Sequence, residues 1–245
     1  VKKLYLIPIS SIFIITLLFG GASASADDMT LQKNVDKLIQ LQPGLSKDEV
    51  KQTISDYAYD QNTSEFNASK EILTELKEQY AADKEEQNQI IPFGGSSGTK
   101  KLVKSRHKGD VFYTPSSTLG IQHGHNGIYS TTNEIVESIP KKGVRVIKYN
   151  GRNVEKNAVM QEVSVSQSKR SSAASWAKSR KGDSYSYNFA TNRLTGHYGA
   201  KNCAKLLWSA YKLKASIDID HNKGAGVYPK DIKNSGYTKT YKTIK

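Results

Sequence analysis

The chain holds one cysteine and five histidines, and these are the residues whose types could do covalent chemistry without a cofactor. Cys203 opens the stretch "NCAKLLWSAYK", with Asn202 before it as a good helix N-cap. That spacing puts the sulfur in a first helical turn. There the unpaired N–H groups and the positive dipole end favour a thiolate, so the sequence predicts a lowered thiol pKa. The Cys203 backbone N–H is a candidate oxyanion donor. Leu206, Leu207, Ala210 and Tyr211 fall on one face of the same helix and would bury it, fixing the direction of the thiol. The competing reading of a lone cysteine is a small buried apolar residue.

A thiol nucleophile needs a base within hydrogen-bond reach, held rigidly. His125 begins "HNGIYS", a strand-like run, and is the first candidate. His123 lies between turn residues in "IQHGH" and stands in reserve. His107, His197 and His221 read as surface or turn residues. A third group should orient the imidazole. If "EIVESI" returns as a hairpin on "HNGIYS", Glu137 lies beside His125, with Glu134 and Asn133 as alternatives; a solvated hairpin glutamate is the opposing reading. One cysteine with scattered histidines lacks the close ligand pairs of a zinc site, so no metal or cofactor is expected.

The elements that must position these residues follow from pattern. The start, "VKKLYLIPISSIFIITLLFGGASASADD", has a basic head, an apolar stretch and the small-residue tail Ala24-Ser25-Ala26, the marks of an export signal over residues 1–26 cleaved before Asp27. Residues 27–89 read as three short amphipathic helices broken at Pro43-Gly44. Ser46 and Glu49 form a capping-box pattern at the second, and the third begins near Ser69. This unit has no nucleophile or histidine and suits a pro-region, an inhibitory cap or a docking module. Residues 90–101, "IIPFGGSSGTKK", form a Pro/Gly/Ser-rich linker. In residues 102–245 short β-branched runs come first and helices after, which predicts an α+β fold.

Charge divides the same way. Residues 27–89 carry 14 acidic and 7 basic side chains, while residues 90–245 carry 9 and 27, a net of +18. A basic exported domain would concentrate near an anionic cell-envelope polymer such as peptidoglycan or teichoic acid. An intramolecular contact between the acidic unit and the basic domain is also plausible on charge. Nucleic-acid binding would rest on charge and tyrosine alone, with no recognisable motif, so no specific nucleic acid is expected.

Together "KGDVFYTP", "HGHNGIYS" with "EIVES", and "NCAKLLWSAY" resemble the NlpC-type cysteine hydrolases of papain-like fold. The histidine strand precedes the cysteine helix here, which resembles the circularly permuted branch with the YiiX-like and lecithin:retinol acyltransferase-like proteins. "GVYPKDIKNSG" is similar to the Pro-Asp segment of YiiX-like members. The resemblance spans roughly Lys108 to Gly236. It implies an antiparallel sheet packed with helices and a Cys203–His125–Glu137 triad. Asn126 and Asn202 depart from the usual neighbours of the histidine and the cysteine, which bears on the shape of the pocket. The expected activity is a secreted thiol peptidase or amidase, localised to the cell wall of a Gram-positive-like bacterium and acting on peptidoglycan stem peptides. The alternatives are lipid or ester acyl chemistry on the same fold, and a basic binding module without turnover.

Overall fold

The computed structural model describes residues 25–42, 44–88, 98–115, 117–118, 121–122 and 124–245. Three helices come first: α1 (Ala26–Leu41), α2 (Lys47–Asp60) and α3 (Glu65–Asn88). Both α1 and α2 start in capping boxes. The Ser25 side chain accepts from the Asp28 N–H while the Asp28 carboxylate accepts from the Ser25 N–H, each at 3.1 Å. Ser46 and Glu49 form the expected second box. Helix α3 starts four residues before the expected Ser69, because Ser64 accepts from the Asn67 N–H and caps it earlier.

The strands are β1 (Lys100–Lys101), β2 (Val111–Thr114), β3 (Ser117–Thr118), β4 (Ile121–Gln122), β5 (His125–Thr131), β6 (Glu134–Ile139), β7 (Gly143–Lys148), β8 (Asn153–Val154) and β9 (Val159–Val163). Helices α4 (Gln167–Ser179), α5 (Cys203–Ala215) and α6 (Pro229–Lys233) follow, and β10 (Thr238–Thr243) closes the chain. Six strands form one antiparallel sheet in the order β10-β9-β2-β5-β6-β7. The fold is α+β, with a helical N-terminal portion. The tail of the expected linker differs from its sequence reading: Lys100 and Lys101 pair with Val154 and Asn153. Residues 90–97, the expected export signal through Ala24, and His123 lie outside the described residues.

Side chains alternate across a strand, and the two faces of this sheet do different work. Val111, Ile128, Val136 and Val144 pack with α4 and α5. On the opposite face Phe112, Tyr129, Ile135 and Met160 pack with Leu102, Val154 and Ile244. A third core is shared. Val35, Leu38, Ile54, Ile72 and Leu76 of the helical unit cluster with Phe189, Ala190, Ala225, Tyr228 and Cys203. The helical unit therefore does not stand apart; its apolar core is continuous with the loop residues Phe189, Ala190 and Ala225 and with Cys203.

Candidate functional site

Helix α5 begins at Cys203, as the sequence predicts. The Asn202 side chain accepts from the Lys205 N–H at 2.9 Å and donates to the Asn188 carbonyl at 2.7 Å. It thus caps the helix and ties it to the preceding loop. The Ser138 hydroxyl donates to the Lys201 carbonyl at 2.6 Å, fastening the entry to α5 onto β6. Leu206, Leu207, Ala210 and Tyr211 are all fully buried.

Strand β5 brings His125 to this helix end. The peptide N–H next in sequence, that of Asn126, donates to the Cys203 sulfur, as does the N–H of Ala204. His125 and Glu137 lie on the same sheet face, as residues 125, 127 and 129 of β5 share it with 135 and 137 of β6. His125 Nε2 meets Glu137 Oε2 at 2.7 Å. An ionised carboxylate only accepts, so Nε2 carries the proton and Nδ1 keeps its lone pair. This tautomer leaves Nδ1 able to accept a proton.

Two arginines complete the arrangement. Arg145 donates to Glu137 Oε1 from Nε at 2.9 Å and from Nη2 at 2.6 Å. Arg152 Nη1 stands 3.2 Å from Oε2. Glu137 has no solvent exposure. Burial alone would raise its pKa, but His125 and the two guanidiniums outweigh that and hold it at about 2. His125 is pushed down to about 4, by burial first and then by the Arg152 charge, against the pull of Glu137. Glu137 was legible as a candidate. The arginines were missed, although a lone arginine inside the apolar run "VRVIK" was a signal that one strand face meets a buried acid.

The thiol itself differs from its sequence expectation. Burial pushes Cys203 up to about 11, over the lowering effect of the Asn126 and Ala204 N–H groups and the Arg152 charge. The helix end does favour a thiolate, but the burial of Cys203 outweighs it. In the described conformation the thiol and the imidazole are both neutral.

The other candidates lie elsewhere. Glu134 pairs with Lys178 at 2.9 Å on the surface, and Asn133 sits in the turn before β6. His107 stands 3.9 Å from both Asp110 and Glu162. His197 stacks on Trp208 and meets the Ser209 hydroxyl at 3.0 Å. Tyr185, half-buried, lies close enough to the thiol for their charges to interact, together with Tyr187 and Tyr80. Among the described residues no three His, Cys, Asp or Glu side chains gather into a metal site.

No family model matches the chain, and no solved structure matches it. Among curated proteins it is similar to "Uncharacterized protein YycO" of Bacillus subtilis (strain 168), at 46% identity over 242 residues, covering 96% of this chain and 97% of that protein. At that identity and coverage, the chain belongs to the same family as the Bacillus subtilis protein YycO.

Proposed function

We propose that this chain is a cysteine hydrolase in which Cys203 is the nucleophile, His125 the base and Glu137 the group that orients it. The observation that carries the reading is the buried relay from Arg145 and Arg152 through Glu137 to His125 Nε2, which leaves Nδ1 unprotonated on a strand whose next N–H touches the Cys203 sulfur. A structural cysteine has no use for an imidazole fixed in that tautomer.

Attack on an amide carbonyl passes the thiol proton to His125 Nδ1 as the C–S bond forms. The imidazolium is stabilised by Glu137, and the Cys203 N–H, an orphan donor of α5, faces the oxyanion. His125 then gives that proton to the leaving amine as the C–N bond breaks, leaving a thioester. Water loses a proton to His125, adds to the thioester and releases a carboxylic acid, and the proton returns to the thiol.

The charge of the chain favours a substrate in an anionic polymer, and the apolar, signal-like start favours export. We assign the substrate class as amide bonds in cell-wall stem peptides, with the basic domain held at the wall. Incubating purified cell-wall peptides with the chain carrying Gln42→Ala and Glu75→Ala, the two side chains that tie the helical unit to the loops near Cys203, should release new free amino groups, and the same chain with Cys203→Ala should release none. Equal release by both would sink the reading. Release of fatty acid from lipid esters, with no amine, would move the activity to acyl chemistry on the same residues.

A further inference from the structure

Gln79 of the helical unit donates to the Asp231 carboxylate at 2.9 and 3.0 Å, and two further polar side chains of the unit each occupy backbone donors of the other portion. Gln42 is buried, 3% exposed, and its side-chain oxygen accepts from two consecutive N–H groups, Phe189 at 2.9 Å and Ala190 at 2.8 Å. The Glu75 carboxylate accepts from Ala225 at 3.0 Å and Gly226 at 3.5 Å, with the Asn222 side chain at 3.3 Å. Glycine at 224 makes room for it: a Cβ there would stand 2.1 Å from Glu75 Oε1. The two donor pairs are neighbours, because the Phe189 carbonyl lies against Gly226 and the Phe189 ring stacks on Tyr228. Both belong to the apolar cluster that contains Cys203.

One carboxamide on two backbone donors and one carboxylate on three donors are the groups a peptide presents as its amide carbonyl and its free acid. We propose that the Phe189–Ala190 and Ala225–Gly226 donors are substrate seats, for an amide carbonyl and a carboxylate respectively, and that the helical unit closes the cleft by placing Gln42 and Glu75 in them. This rests on the hydrolase reading of the cleft, and narrows the substrate to acidic acyl-amino-acid or peptide chemistry. The thiol has no solvent exposure in this arrangement. Departure of the helical unit would free the Gln42 and Glu75 seats near Cys203 for another carbonyl and carboxylate.

The test reads Cys203 alkylation by iodoacetamide in the full chain, where it is the only thiol. Gln42→Ala with Glu75→Ala should speed labelling at least tenfold while circular dichroism stays helical. In that variant N-acetylglutamate at millimolar concentration should slow labelling at least fivefold, and the uncharged isostere N-acetylglutamine amide should do far less. Should the double variant lose its helical signal, Gly224→Ala, which displaces Glu75 with every helical-unit residue native, should also speed labelling. Combined with Gln42→Ala it should abolish protection by N-acetylglutamate, because the added Cβ fills the carboxylate seat. Unchanged labelling in folded variants, or fast labelling that N-acetylglutamate does not slow, would overturn the proposal. Neither readout involves turnover, so a chain that passes both and cleaves nothing keeps its groove and loses only the hydrolase reading.

Discussion

Glu137 and Arg145 stand directly opposite one another on β6 and β7, and the guanidinium grips the carboxylate that in turn holds His125. The pair is one register position in an antiparallel ladder, so the orientation of the imidazole is built into the sheet rather than into a loop. Glu137→Gln would leave two guanidiniums facing a neutral amide in a buried site. A loss of about 3–5 kcal/mol is expected from breaking a buried pair, measured by urea denaturation. Catalysis should fall with it.

Arg152 acts on His125 through charge. Burial and then Arg152 lower the imidazole pKa, so Arg152→Gln should raise it. The acid limb of the kcat/KM profile, read in the opened Gln42→Ala/Glu75→Ala chain, should then move to higher pH. A variant whose rate drops with an unmoved limb would show that Arg152 serves packing alone.

Gly127 keeps the histidine in place by its lack of a side chain. A Cβ at 127 would stand 2.5 Å from Phe112 Cε1 and 2.9 Å from the Val136 carbonyl. Phe112 packs beside His125, with ring centroids 5.9 Å apart. Gly127→Ala should therefore destabilise the chain by about 1–3 kcal/mol, the usual cost of overpacking, and slow turnover more than a remote substitution of equal cost. Asn202→Ala should cost about 1 kcal/mol or more, since it removes both a helix cap and the bond to Asn188.

Glu75 makes seating of the helical unit depend on pH. Burial raises its pKa from 4.5 to about 7 in the folded chain, against the pull of its backbone donors. Asp231, Tyr57 and Tyr228 face it and interact with its charge. Between those values the folded state holds the extra proton. The stabilisation is thus fully present below about 4.5 and is lost as pH rises through about 7. Melting temperature should fall from pH 5 to pH 8, and Glu75→Gln should flatten that fall. Asp220, raised to about 7, and Asp231, also raised, act in the same direction, so some slope should survive. Parallel curves for the two chains would contradict this role.

Much of this is legible in the sequence. A hairpin of "HNGIYS" and "EIVESI" makes Glu137 one of three candidates to orient His125, beside Glu134 and Asn133, and the capping residues Ser46 and Asn202 announce their helices. Strand β10 was not legible: "TKTYKT" is polar, forms the edge of the sheet, and takes its conformation from pairing with β9. The arginines needed the β6–β7 register and a turn after it. The raised thiol pKa needed the three-dimensional packing, because helix-end electrostatics are local and readable while burial by residues distant in sequence is not.

The most direct measurement of the central claim is the iodoacetamide labelling rate of Cys203 against pH in the opened Gln42→Ala/Glu75→Ala chain, with and without His125→Ala. With water admitted, the helix end, the Asn126 and Ala204 N–H groups and Arg152 should bring the thiol below about 8.5, the value of a free thiol. Loss of His125 should raise it and slow labelling at neutral pH at least tenfold. A thiol that titrates at or above the free value in the opened chain, indifferent to His125, would contradict the account and leave Cys203 a packing residue.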